Sequence, residues 1–160
     1  MLLNRSRPAF DVQSKDIQEA AHAVKQEVRI LQASSEHEIG FAFAVAAAWR
    51  PGALAVPPDA FFNSRSEQLA ALALQYAVPT IYQYRSFAAA GGLISYGADI
   101  ADAYRLVGAY TAQILKGKKP EDLPVQRATK VELLINRKTA KALGLNVPPQ
   151  LQQLADEVIE

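Results

Sequence analysis

The first half of the chain alternates between a hydrophobic period of 3.6 and short apolar runs, and that alternation limits the fold more than any other feature. From Asp11 the residues Val12, Ile17, Ala20, Ala21 and Val24 fall on one face at helical spacing, which predicts a helix over 11–25. Glu27–Gln32 then reads as a strand. Ser35, three residues before Glu38, is a capping-box pattern opening an alanine-rich helix that runs through Trp49 and is stopped by Arg50-Pro51-Gly52. Ala53–Val56, apolar and bounded by Gly and Pro-Pro, has the look of a buried parallel strand. Ser64 is expected to cap a helix over Arg65–Tyr76, and Val78–Tyr82 is the next strand. Helix and strand in strict turn with short connections predict an α/β fold: a parallel sheet with helices on both faces.

The second half is less regular. Phe87–Ala90 reads as a helical turn, Gly91-Gly92 as a point where the backbone needs positive φ or close approach, and Leu93–Ser95 as a brief strand. Asp99 opens a long amphipathic helix with Ile100, Ala103, Leu106, Val107, Tyr110, Ile114 and Leu115 on one stripe, ending at Gly117. A polar connector over Lys118–Pro124 leads to a strand at Val131–Ile135, a short helix over Lys138–Leu143 and a last helix from Pro148. At the other end, Met-Leu-Leu-Asn stands where a full strand belongs, so the first strand is expected to be cut short and the chain to be truncated at its N-terminus.

Composition excludes more than it assigns. At 160 residues, 50% of them apolar, the chain suits one domain or a piece of a larger one. Seventeen Lys and Arg against sixteen Asp and Glu leave a formal charge of +1, which draws it to neither nucleic acid nor an acidic membrane. There is no cysteine, so disulfides, thiolate metal sites and cysteine nucleophiles drop out together. No stretch reaches about 18 uninterrupted apolar residues, and the N-terminus has no secretory-signal pattern. His37-Glu38 could begin a zinc-protease helix, but Phe41 occupies the second ligand position. With no nucleophile elbow, phosphate loop or dinucleotide fingerprint, the expectation is a protein that is not an enzyme, with no catalytic residue, no metal and no cofactor.

Polar and aromatic chemistry gathers instead at strand ends. Asp59, Phe61, Phe62 and Asn63 follow one strand; Tyr84 and Arg85 follow the next. Ligands of open α/β sheets bind outside the carboxyl ends of the strands. Rings supply apolar walls, a carboxylate can meet an ammonium, and a guanidinium can meet a carboxylate, so the set suits a small amphipathic solute. The competing reading makes Phe61 and Phe62 core residues and Asp59 a cap.

Three motifs carry a resemblance to a known family: Asp-x-Phe-Phe at 59–62, Gly-Gly-Leu-Ile-Ser-Tyr-Gly at 91–97 and Leu-Leu-Ile-Asn-x-Lys-Thr-Ala-Lys-x-Leu-Gly at 133–144. They resemble the carboxyl-terminal half of ABC transporter substrate-binding proteins of the type I periplasmic-binding fold, in the group of tryptophan and tyrosine uptake receptors. The resemblance implies a two-lobed receptor that holds a small organic solute, for instance an aromatic or other amino acid, and presents it to a membrane permease. It implies that residues 1–84 form most of the second lobe, 85–124 a crossover and remnant of the first lobe, and 125–160 the return to the second. Ser95, Tyr96 and Gly97 would then face the cleft beside Asp59 and Phe61. The family works outside the cytoplasmic membrane, in the periplasm or on a lipid anchor, whereas the chain as written carries no export signal and would stay in the cytoplasm. Ala60 and Ser86 stand where the family has a proline and commonly an acidic residue. Helix 99–116, without the sheet it would pack on, is expected to cause self-association. The alternative from another class is a stand-alone α/β ligand-sensing or interaction domain without catalysis, and the absence of a basic recognition helix argues against DNA contact.

Overall fold

The strands are set by short apolar runs that pair in parallel. The computed structural model describes residues 1–126 and 129–160. In chain order the elements are β1 (Leu2–Leu3), α1 (Phe10–Ala23), β2 (Leu31–Gln32), α2 (Glu36–Trp49), β3 (Leu54–Val56), α3 (Ala60–Asn63), α4 (Ser66–Gln75), β4 (Thr80–Tyr82), α5 (Arg85–Ala89), β5 (Ile94–Ala98), α6 (Ile100–Leu115), a 3-10 turn at Pro120–Asp122, β6 (Val131–Asn136), α7 (Arg137–Ala142), α8 (Pro149–Leu154) and β7 (Glu157–Ile159). β1 pairs with β2 in parallel, and β3-β4-β5-β6-β7 form a second sheet in that order. β3, β4 and β5 run parallel; β5 and β6 are antiparallel; β6 and β7 are parallel again. The expected α/β class is observed, with parallel-dominated sheets flanked by helices.

The core lies where β1, β2, β3 and β4 meet α2, α4 and α5. Ile39, Ala42, Phe43 and Ala46 give α2 a buried face at the i, i+3, i+4, i+7 spacing. They join Leu2, Leu31, Leu54, Val56, Phe62, Leu69, Tyr82 and Phe87 in one cluster. Phe43, Phe62 and Phe87 are wholly buried, and each contributes on the order of 1.5–3 kcal/mol. Tyr82 stacks on Phe87 with ring centroids 4.6 Å apart. Its hydroxyl donates to the Leu69 carbonyl at 3.3 Å, and burial raises its pKa well above the ordinary value.

Several expectations need correction. Ser64 does not cap a helix N-terminus. A separate single turn, α3, intervenes with Asp59 as its N-cap, and Ser64 closes that turn by donating from Oγ to the Phe61 carbonyl at 2.9 Å. α4 starts after Arg65 without a side-chain cap. The strand expected over Glu27–Gln32 is laddered only at Leu31–Gln32, because its partner β1 offers only Leu2 and Leu3. α1 forms, yet Val12 and Val24, placed on its apolar face from sequence, are exposed. β5 extends to Ala98 because β6 pairs with it over five residues, from Ile94↔Ile135 to Ala98↔Val131. β7, paired with β6, follows α8 where the sequence pattern predicts only a last helix. Arg127 and Ala128, within the stretch assigned to the return crossing, lie outside the described residues.

Candidate functional site

The carboxyl ends of β1 through β5 fall on one edge of the fold, and the side chains there form linked networks. Asp59 is the hub on the β3 side. Its Oδ1 accepts from the Phe61 and Phe62 amides at 2.9 and 3.2 Å. Asn4, directly after β1, donates from Nδ2 to both carboxylate oxygens at 3.2 and 3.3 Å. Arg7 places Nε 3.7 Å from Oδ2 and donates to the Pro58 carbonyl at 2.8 Å. The carboxylate is thereby buried and largely satisfied, as a helix cap should be. Phe61 is half-buried and lies under the Arg65 guanidinium, 4.0 Å from its ring centroid. Phe62 is fully buried in the core. Asn63 accepts from Gln83 Nε2 at 2.5 Å, which ties α3 to the end of β4.

The β4 and β5 ends carry the rest. Tyr84 is half-buried at the start of α5. Arg85 pairs with Glu132 at 3.3 Å and with Glu157 at 2.7 Å, so its charge is outweighed by two carboxylates from β6 and β7. Ser95 is buried and its hydroxyl has no partner among the described residues. Tyr96 is 59% exposed. Gly97 brings β5 against β4 so closely that a Cβ there would stand 2.1 Å from the Gln83 carbonyl oxygen. At the end of this ladder Lys130 donates to Asp99 at 2.7 Å. That bond holds the Asp99 carboxyl below its ordinary value and raises Lys130.

The edge therefore carries Asp59, Phe61, Asn63, Tyr84 and Gly97 at the ends of β3, β4 and β5, with Tyr96 exposed on β5 opposite Leu133 of β6. It buries Phe62 and Ser95 beneath and turns Arg85 to the β6–β7 side. Sequence reading missed Asn4, Arg5, Arg7, Ser34, Glu38 and Gln83. Asn4 and Arg7 meet Asp59 from more than fifty positions away, and only a strand order could have forecast that. Glu38 accepts from the Ser34 amide at 2.7 Å and from its hydroxyl at 2.8 Å. These bonds lower its pKa, aided by Arg5 at 2.5 Å.

The third sequence motif is structural. Asn136 caps α7, accepting from the Thr139 amide at 2.9 Å and donating to the Ala88 carbonyl at 3.1 Å. Thr139 donates to the Gly91 carbonyl at 2.8 Å. These bonds fix the turn at Gly91, whose φ of +99° only glycine adopts readily.

Concave pockets of about 730 and 600 Å³ lie at the other ends of the strands, the first lined by Arg137, Lys138 and Lys141, the second by Arg29, Trp49 and Leu54. No group of His, Cys, Asp and Glu able to hold a metal ion occurs among the described residues.

Comparison with known proteins supplies the context for this edge. A family model described as ABC transporter substrate binding protein matches residues 2–159. Among solved structures, an ABC domain from Streptococcus pneumoniae in complex with L-Trp is 26% identical with a TM-score of 0.81, over 99% of this chain and 55% of that one. A conserved domain protein from Vibrio cholerae is 22% identical with a TM-score of 0.83, over 98% of this chain and 53% of that one. A ligand-free, open substrate binding protein with adhesive properties from Clostridium difficile is 21% identical with a TM-score of 0.71, over 99% and 52%. The chain thus spans about half the length of the structures it matches. No curated protein is similar enough in sequence to match.

Proposed function

Because the chain belongs to the family of ABC transporter substrate-binding proteins, we propose that its carboxyl edge forms one wall of a cleft for a small organic solute, which an ABC uptake system then takes up. The single observation that carries this reading is the convergence at that edge of loops following β1, β3, β4 and β5. It is where open α/β sheets bind ligands, and the half-buried Phe61 and Tyr84 with the exposed Tyr96 offer ring surface beside fixed polar groups. The solute class we assign is an aromatic or other amino acid, a reading supported by the L-Trp complex of the Streptococcus pneumoniae relative. Residues 1–84 and 125–160 belong to one lobe; α5 and β5 stay with it, through Phe87 in its core and the pairing of β5 with β4 and β6, so within 85–124 it is the part carrying α6 that reaches toward the other. Asp59 acts from beneath, holding α3 so that Phe61 and Asn63 face the solute. The role is binding and release without chemistry, outside the cytoplasmic membrane and in contact with a permease. No helix among the described residues is long and apolar enough to cross a membrane.

Titration with a panel of aromatic and branched amino acids, followed by amide NMR shifts, tests the assignment. The expected result is saturable shifts at Phe61, Asn63, Tyr84 and Tyr96. Saturation with no member of the panel would remove the amino-acid class, and shifts confined to the two pockets at the opposite ends would remove the site.

A further inference from the structure

Two guanidinium groups in the loop after β1 are used only in part by the networks above. Arg5 donates from Nε to Ser34 Oγ at 3.2 Å and from one terminal nitrogen to Glu38 at 2.5 Å. Arg7 is held by the Pro58 carbonyl and by Asp59. Each cation is thus oriented from one side only. The second terminal nitrogen of each, Nη1 of Arg5 and Nη2 of Arg7, has no partner among the described residues.

The acids and bases of this cluster differ in depth. The Asp59 side chain is 6% exposed and its oxygens already accept from Asn4 and two backbone amides. Glu38 already accepts from Ser34 twice. Arg5 and Arg7, by contrast, have side chains 54% and 42% exposed. Asp59 lies inward, Glu38 is 30% exposed with its oxygens engaged by Ser34 and Arg5, and the two cations are the more exposed members with donors to spare, so the surface offered to a ligand leans positive although the cluster sums to zero. Arg85 is the opposite case, since it faces two carboxylates. Arg65 gives its donors to Glu36, Phe61 and Ser64.

The geometry points to Arg5 and Arg7 as an anion subsite at the β1 end of the cleft, taking the carboxylate of the solute through their free N–H groups. This inference rests on the cleft reading above and refines it: the solute carries a carboxylate, and that carboxylate is held by the loop after β1 and not by Arg85. Planar forks fixed from behind by Ser34, Glu38, Pro58 and Asp59 are pre-organised for a carboxylate, and such charge-assisted bonds are the strong ones.

Arginine Nε–Hε NMR spectra of the whole chain test it, with three probes: L-tryptophan, tryptamine, which lacks the carboxylate, and acetate alone. Arg5 and Arg7 signals are expected to shift saturably with L-tryptophan and acetate and not with tryptamine, while Arg85 stays unmoved. Arg7→Gln and Arg5→Gln are each expected to weaken L-tryptophan binding by about ten- to a hundredfold, with Arg7→Lys recovering only part, and Arg5→Gln, which leaves the Asp59 network intact, is expected to leave tryptamine binding unaffected. Lys138→Gln, at the opposite end of the strands, controls for general charge. If L-tryptophan binds equally well to both glutamine variants and moves neither signal, the subsite is overturned and the cleft stands. If acetate saturates at Arg5 and Arg7 while L-tryptophan does not bind, the subsite stands and the amino-acid assignment falls. If no probe moves either signal, the subsite is overturned. Should Arg7→Gln fail to fold through loss of its Asp59 contact, Arg5→Gln and the wild-type spectra still decide.

Discussion

Gly97 has no side chain, and the strand beside it uses the space: a Cβ there would stand 2.1 Å from the Gln83 carbonyl oxygen and 3.0 Å from its carbon. Both are backbone atoms and cannot swing aside, so β5 would have to move away from β4. Gly97→Ala is expected to cost about 1–3 kcal/mol of stability, read from urea midpoints. It should also weaken solute binding, because Gln83 bonds to Asn63 at the site. The glycine could be found from sequence; its reason could not. Gly-Gly-Leu-Ile-Ser-Tyr-Gly announces close approach somewhere, and Gly91 and Gly92 meet that expectation, one through its φ and one through contact with Phe87 and Tyr82. Which backbone Gly97 would touch depends on strand neighbours that residue chemistry alone does not determine. Asp59 shows the same division: an aspartate before two phenylalanines signals a cap, and the structure uses it as one. Its bonds to Asn4 depend on β1 arriving next to β3.

Among elements, caps and stops are the reliable guide and length the unreliable one. α2 is legible from its Ser35–Glu38 capping pattern and its Arg50-Pro51-Gly52 stop, whereas the period of α1 marks a face on which Val12 and Val24 are exposed. β7 is three residues long, with an acidic first residue and nothing to distinguish it from a chain end. It forms because β6 presents a free edge to Glu157, Val158 and Ile159. The start of α4 differs from the sequence expectation because a serine that can cap a helix can equally close the preceding turn, and Ser64 closes α3. Capping also sets how the fold responds to acid. Glu38 in the Ser34–Ser35 turn and Asp99 at the head of α6 both have pKa values lowered from the ordinary 4.5 and 3.8. A carboxyl held lower when folded contributes stability above its unfolded value and loses it as pH falls through its folded value. The urea midpoint is therefore expected to be flat near neutrality and to fall once pH drops below about 4.5. Glu38→Gln should lower the neutral plateau and flatten the acid limb, and an unchanged acid limb would show that other carboxyls govern it.

The molecule as a whole leaves one large surface unused. α6 has no buried residue; Tyr104 is 73% and Leu115 83% exposed, with Val107 and Ile114 along the same helix. An apolar stripe of that extent ordinarily marks an interface. In isolation the chain is expected to self-associate with rising concentration, and Val107→Glu with Leu115→Glu should shift sedimentation profiles toward the monomer without lowering the melting temperature. Unchanged profiles would place the contact elsewhere. The α/β class and the alternation of the first half were legible because they depend on local periods. The antiparallel pairing of β5 with β6 was not, because more than thirty residues separate the paired positions.

That pairing bears on how the gene can be edited. Ala98 and Val131 sit opposite each other, and the Asp99 amide reaches the Lys130 carbonyl at 3.0 Å, so the segment from 99 to 130 leaves and re-enters the sheet at a single point. It is topologically a cassette. Replacing it with a two-residue Asn-Gly turn would join β5 to β6 as an ordinary hairpin, and the remaining domain is expected to melt cooperatively as a monomer in calorimetry. The same junction would accept a foreign domain or a fluorescent reporter whose two ends lie a strand spacing apart.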